Sequence, residues 1–324
     1  MEMRHLRYFV TIVESGSLSK AADQLYIAQP ALSLNVRALE AELKTKLLFR
    51  SPQGVRPTEA GRRLYHHALT MLSFIEKINQ EVRHGISSET GRVAIGLPFT
   101  LAPVLGSLLF QRVRTKYPGV HLHILEFMSE LLPELLTRGR LDMAIVPRDK
   151  PTGGVLVQPL FDEDFYVFGR AGVPLKSTVG TCPVRQLSGV PMVFSSDFHE
   201  MRLMIKQAFA HAGAELNIVA DVDSFATRMA IARKGLACTI VTTSNTLSPA
   251  KDEIDLRFCR RLVDPSTHRT VSICWSNSFP PTPATIAVYR LLIELVRELA
   301  REKPETMQLR SIDETAYENS RIPL

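Results

Sequence analysis

Residues 17–43 read SLSKAADQLYIAQPALSLNVRALEAEL, and the spacing within this stretch decides the fold of the amino-terminal part. Ser17 is a capping residue type, and residues 18–25 form a short alanine-rich helix whose small side chains allow close packing. Tyr26 to Ala28 make a tight turn. Gln29-Pro30 opens a second helix, since proline's fixed φ and missing N–H suit a first turn. Leu32, Val36, Leu39 and Leu43 give that helix one continuous apolar face. Upstream, Leu6, Phe9, Val10 and Val13 follow the i, i+3, i+4, i+7 rule, so residues 3–15 form a helix that Gly16 ends.

A helix, a short turn and a second helix is the arrangement that projects the second helix into the DNA major groove while the first braces it across the backbone. The outward positions are Gln29, Ser33, Leu34, Asn35 and Arg37. Gln and Asn pair bidentately with adenine, Ser bonds base or phosphate, and Arg bonds phosphate. An ordinary three-helix surface has the same periodicity, so the next segment carries the distinction. Leu47-Leu48-Phe49-Arg50 and Val55-Arg56-Pro57-Thr58 flank Ser51-Pro52-Gln53-Gly54, which has turn chemistry. This is a basic wing.

GSLSKAADQL, IAQPALS, L-E-x-E-L, LLFR, GVRPT and EAG together resemble the amino-terminal signature of LysR-type transcriptional regulators over roughly residues 3–61. The resemblance implies an all-α winged helix-turn-helix DNA-binding domain at 1–58, with Ser17, Gln29, Pro30, Ser33, Leu34 and Asn35 near the groove. Arg37, Arg50, Gln53 and Arg56 are then the residues near phosphate or the minor groove. Leu34 and Gln53 depart from the polar or basic residues common there; Leu34 meets a thymine methyl or faces solvent.

From Thr58 to Ile86 there is no internal proline, and Leu64, Ala68, Met71, Ile75, Ile78 and Val82 alternate steps of four and three. That is a coiled-coil seam on a helix about 43 Å long at roughly 1.5 Å per residue. It predicts a long linker helix that pairs with its copy in a second subunit, its first turns packing on the wing module. Residues 85–91 (GISSETG) break it, so the linker and hinge run over 59–90.

Beyond Gly91, strand and helix patterns alternate, which predicts an α/β domain over 91–303. Strands are expected at 155–160 and 164–169, with a final helix at 283–302. Gly91-x-Val93-x-Ile95-Gly96, Leu141-Asp142-Met143-Ala144-Ile145 and Ala232-x-x-Gly235-Leu236 look like the two-lobed effector-binding domain of the same regulators, similar to type 2 periplasmic solute-binding proteins. In such a fold a ligand sits at strand carboxyl ends, among helix amino-termini. Phe99, Thr100, Ser129, Ser195, Ser196, Phe198, Arg202 and Ser224 are the candidates. The hydroxyls either bind a carboxylate or simply cap helices. Residues 304–324 begin with proline, are polar and weakly periodic, and are expected to be disordered or loosely docked.

The chain has 324 residues, 39 Lys and Arg against 33 Asp and Glu, and four cysteines without a C-x-x-C pair. This permits a polyanionic partner and predicts free thiols, no metal and no cofactor. Without a leader-like start or a long apolar run, the expected location is cytoplasmic, with no membrane partner. No P-loop, G-x-G-x-x-G, H-E-x-x-H or G-x-S-x-G string supports an enzyme. The expected function is sequence-specific regulation at double-stranded promoter DNA by a homodimer or homotetramer, with a small-molecule effector and contact to RNA polymerase. A ligand-independent regulator is the alternative, because LLFR, GVRPT and Ser196-Asp197-Phe198-x-x-x-Arg202 look somewhat like the nitrogen assimilation control branch. A solute-binding protein or enzyme on the same scaffold is the remote one.

Overall fold

The structure is a computed structural model and describes residues 1–52, 54–84, 89–151, 153–169, 180–196, 200–246, 258–302, 304 and 307–320. Gln53 and Phe198, both expected at binding sites, lie outside the described residues, as does the side chain of Val82. The chain divides into two compact units, one of residues 1–88 with 134–141 and one of residues 89–133 with 142–324.

The first unit contains α1 (Met3–Ser15), α2 (Leu18–Leu25), α3 (Gln29–Glu42), the strands β1 (Leu48–Ser51) and β2 (Gly54–Pro57), and α4 (Glu59–His84). Gly16 ends α1 in the left-handed region at φ 63°, and Ser17 caps α2 by accepting from Lys20 N–H. Tyr26, at φ 55°, closes α2. Phe9, Ile12, Ala21, Ala22, Leu32, Val36, Leu39, Leu47, Leu48 and Val55 form the core. Each large apolar side chain fully buried there contributes about 1.5–3 kcal/mol.

Two glycines of the quoted motifs have steric reasons. A Cβ on Gly54, which sits at φ 127°, would lie 2.6 Å from the Gly16 carbonyl oxygen, and one on Gly61 would lie 2.0 Å from that of Leu47. Thr58 makes the second approach useful: its N–H donates to Leu47 O at 2.9 Å and its hydroxyl accepts from Gly61 N–H at 3.0 Å. The wing is thereby stitched to the start of α4.

The expected linker seam divides. Ala68 is buried with Leu6 and Val10 of α1, and Leu64 packs beside them, so these two are core residues of the unit rather than part of a free stripe. Met71 and Ile78, each 42% exposed, continue the stripe with half-buried Ile75 and with exposed Phe74, which the heptad spacing had passed over.

The second unit has β3 (Gly91–Pro98), α5 (Ser107–Lys116), β4 (Val120–Phe127), α6 (Leu132–Thr137, whose residues from 134 belong to the first unit) and β5 (Met143–Val146). Then come β6 (Val155–Phe168), β7 (Thr181–Pro183), β8 (Met192–Phe194), α7 (Glu200–His211), β9 (Ile218–Asp221) and α8 (Phe225–Arg233). It ends with β10 (Thr239–Thr242), α9 (Thr243–Thr246), β11 (Cys259–Val263), β12 (His268–Ser276), α10 (Pro283–Glu302) and β13 (Met307–Leu309).

Nine strands form one mixed sheet in the path β4-β3-β5-β12-β6-β11-β7, with β10 and β13 also on β6, while β8 and β9 pair separately. One core lies among Val93, Ile95, Leu109, Ile145, Tyr289 and Leu292, the other among Phe165, Val167, Val184, Phe194, Ile205 and Ile240. These are the two lobes. Where the sequence predicts two strands at 155–160 and 164–169, one strand, β6, joins them. Its first part pairs with β12 and its last residues with β10 and β11. Pro159 does not break β6, because the register with β12 shifts there, and proline is tolerated at such a bulge.

The tail corrects another expectation. β13 pairs with β6 through Met307, Gln308 and Leu309, opposite Glu163, Asp162 and Phe161. Tyr317 is buried, its ring stacked on Tyr289 at 5.1 Å and edge-on to Trp275 at 5.3 Å. Two anchors ten residues apart carry no helical or strand period, so composition alone misreads the segment as unstructured.

Candidate DNA interface and effector cavity

On α3, Gln29, Pro30 and Arg37 are exposed and Leu34 is 63% exposed, while Ser33 and Asn35 are half-buried. The helix starts at Ala28 without a side-chain cap, so its first N–H groups are open to a phosphate. Arg50 of β1 donates from Nη1 to Ser33 Oγ at 2.9 Å, which ties wing to helix. Asn35 donates to Ala31 O at 2.8 Å, so one of its amide donors stays on its own helix. Arg56 is exposed on β2, and Ser17 is half-buried in its capping role.

Sequence reasoning left out three residues here. Tyr26 is 95% exposed in the turn before α3, and Phe49 is 66% exposed beside Arg50. Both were visible only as members of a turn and a strand. Glu40 is buried on α3 and accepts from Leu47 N–H at 2.8 Å, Leu48 N–H at 3.2 Å and Lys46 Nζ at 3.3 Å. Burial pushes its carboxyl up, but the hydrogen bonds from Leu47, Leu48 and Lys46 outweigh this and hold it below the usual carboxylate range. The L-E-x-E-L motif was the signal for it.

In the second unit, a cavity of about 610 Å³ opens between the ends of β3 and β4 and one face of α8. Phe99 and Pro103 line one side, Glu126, Phe127 and Met128 another, and residues from Asp223 to Arg233 the third. Of the expected effector residues, Phe99 and Ser224 are on this wall. Ser224 Oγ accepts from Thr227 N–H at 3.3 Å, so it caps α8. Ser196 donates from N and Oγ to Asp223 at 2.8 and 2.7 Å, which orients this carboxylate without cancelling its negative charge.

Thr100 Oγ1 and Ser195 Oγ are buried without a hydrogen-bond partner among the described residues, and Ser129 is half-buried. Arg202 differs from its expected role. It is buried within its lobe and donates from Nη1 to Ser195 O at 2.7 Å and to Asp221 Oδ1 at 2.5 Å, so its charge is spent there.

The polar groups that join the lobes were not anticipated. Glu163 of β6 is 1% exposed. It accepts from Arg269 Nε at 2.7 Å and from Ser244 N–H at 3.0 Å, with the Ser244 hydroxyl as a further donor. Asn245 accepts from Thr242 N–H at 2.9 Å and donates to Thr100 O at 3.1 Å, beside Phe99. Across the cleft, Glu130 Oε1 accepts from the Glu200 N–H that opens α7, at 3.3 Å. Burial, followed by an opposing pull from Arg148 and repulsion from Glu130, sets the Glu200 carboxyl above its usual range.

Cys182, Cys238, Cys259 and Cys274 are free and buried. Burial pushes Cys238 and Cys274 up to about 12. Among the described residues no group of three or more His, Cys, Asp or Glu is placed to hold a metal, and no helix is long and apolar enough to cross a membrane.

A winged helix-turn-helix unit in the same chain as a two-lobed α/β unit with an interlobe cavity defines a transcriptional regulator built to couple DNA binding to a second signal. Comparison with known proteins makes this specific. Residues 3–62 match the bacterial regulatory helix-turn-helix model of the lysR family, and residues 87–299 match the LysR substrate binding domain. The chain belongs to the LysR family of transcriptional regulators, which are not enzymes.

It is 34% identical to the nitrogen assimilation regulatory protein nac of Klebsiella aerogenes over 94% of this chain and 98% of that protein. Identity to the nac protein of Escherichia coli K12 is 32%, with the same coverage. Among solved structures, a full-length OxyR variant from Pseudomonas aeruginosa superposes with a TM-score of 0.71 at 26% identity, covering 97% of this chain and 99% of that one.

Proposed function

We propose that this LysR-type regulator reads promoter DNA through Gln29, Pro30, Ser33, Leu34 and Asn35 of α3. Arg37, Arg50, Gln53 and Arg56 hold the backbone, and Ser17 braces the entry. The observation that carries this reading is the exposed face of α3 joined to the wing by the Arg50–Ser33 hydrogen bond. Two copies pair through Met71, Phe74, Ile75 and Ile78 of α4, which sets two reading helices about one DNA turn apart. The assembly is a homodimer or a homotetramer, acts in the cytoplasm and contacts RNA polymerase. The domain division at 58, 90 and 303 serves this coupling: reading module, pairing helix and signal domain, with the tail bracing the last.

The signal is a small molecule in the interlobe cavity. Occupancy favours one lobe arrangement, and the hinge groups Glu163, Arg269, Ser244 and Asn245 pass it on. All four thiols are buried, and burial pushes those of Cys182, Cys238 and Cys274 up, which argues against peroxide chemistry at cysteine as that signal. A ligand-independent regulator is the second reading. It is favoured by Glu130, a built-in carboxylate that already accepts from the N–H at the amino-terminus of α7.

Genome-wide capture of DNA fragments by the full-length protein tests the first part. Gln29→Ala relaxes base preference by about 1–3 kcal/mol at its position, whereas Arg50→Ala weakens all sequences alike. Equal losses on cognate and random DNA for both variants contradict the assignment.

A further inference from the structure

We propose that the interlobe cavity takes an organic cation, an ammonium group on a compact apolar body, in preference to a carboxylate. This deepens the effector reading above and rests on it.

The wall is rich in groups that suit such a ligand. Phe99, Phe127 and Phe225 present aromatic rings, and Met128 and Met229 present polarisable thioethers. Aromatic faces attract organic cations through the ring quadrupole, most strongly when both are shielded from water. A cavity of about 610 Å³ is ample for an arylalkylamine.

The charge on the wall points the same way. Glu126, at the end of β4, takes part in no hydrogen bond or ion pair among the described residues, although its carboxylate borders apolar side chains. Partial shielding by its apolar neighbours raises its pKa. Glu126 is exposed and unpaired on this wall, so its carboxylate attracts an arriving cation and repels an arriving anion. Asp223 adds a second negative charge.

Of the groups expected to hold a carboxylate, the unpartnered Thr100 and Ser195 hydroxyls do not line this cavity, and others are committed elsewhere. Ser224 caps α8, Ser196 is bonded to Asp223, and Arg202 is bonded to Asp221 and Ser195 O. The remaining cation on the wall is Arg233, which is itself already engaged. It lies seven residues beyond Ala226 along α8, about 10 Å at the helical rise.

The test is calorimetric titration of the full-length protein at neutral pH with three matched probes: 2-phenylethylammonium, 2-phenylethanol and 3-phenylpropanoate. The ammonium binds at least tenfold tighter than either of the others. Glu126→Gln reduces that preference to twofold or less and leaves 2-phenylethanol unchanged, while Arg233→Gln preserves it. Met229→Trp, which fills the cavity, abolishes binding of all three; the melting curve of each variant, followed by circular dichroism, confirms an intact fold.

The proposal is overturned if 3-phenylpropanoate binds as tightly as the ammonium, if the preference survives Glu126→Gln, or if the ammonium does not bind at millimolar concentration. Footprints on the protein's own DNA site separate the two levels. Ammonium-selective binding that leaves the footprint unchanged keeps the charge assignment and rejects the effector reading. Propanoate binding that alters the footprint does the reverse.

Discussion

Removing Arg269 tests whether the polar link between the lobes is a structural necessity. Its guanidinium meets Glu163 Oε1 at 2.7 Å through Nε and 2.6 Å through Nη2, and lies over the Phe165 ring at 5.9 Å. Glu163 is almost fully buried in β6, the strand common to both lobes. Arg269→Met keeps most of the side-chain volume but leaves this carboxylate with Ser244 as its remaining donor. Stranding a buried charge costs about 3–5 kcal/mol. For a unit of this size that lowers Tm by about 10 °C, at about 2–4 °C per kcal/mol.

The double variant Glu163→Gln/Arg269→Met removes both charges, and its amide still bonds Ser244, so it recovers at least half of the loss. The assay is urea unfolding followed by tryptophan fluorescence. Trp275 is the single tryptophan in the sequence and is buried in the second unit, so its emission reports that unit alone. A loss below about 1 kcal/mol in Arg269→Met, or a double variant no more stable than the single one, refutes the reasoning.

Glu40→Gln in α3 weakens the wing attachment by about 1.5–3 kcal/mol, the range for hydrogen bonds to a charged group. Because the folded-state pKa of Glu40 is depressed, its contribution is complete above the ordinary carboxylate value and is lost as pH falls through the depressed one. Circular dichroism melts between neutral and acid pH therefore show less acid sensitivity in Glu40→Gln; an unchanged pH dependence counts against the assignment. Tyr317→Ala destabilises the second unit by about 3–5 kcal/mol. Tyr317→Phe costs less, about 0.5–1.5 kcal/mol, since it removes only the hydroxyl's bonds to Asp142 O and Thr285; wild-type Tm in Tyr317→Ala, again followed by Trp275, means that the tail is dispensable. Met71→Asp with Ile78→Asp lowers the oligomeric state in sedimentation velocity while leaving the Trp275 melt unchanged. Retention of the full assembly excludes pairing through α4.

What lay open in the sequence was local. Gly16, Ser17 and Pro30 act on their own turns through φ, a cap and a missing N–H, so α1 to α3 and the wing could be placed from a few residues each. Periodicity likewise exposed α4 and α10, because a buried face repeats along a single element. Tertiary structure decided everything that depends on residues far apart. Ala68 fits a heptad seam yet packs on Leu6 and Val10, and Arg202 fits a cleft cation yet bonds Asp221. Glu163 meets Arg269 and Ser244, and Tyr317 meets Tyr289 and Trp275, across separations that no short pattern encodes. Such contacts are chosen by the free energy of desolvating and pairing groups in one place, which exists only once the strands have crossed between the lobes.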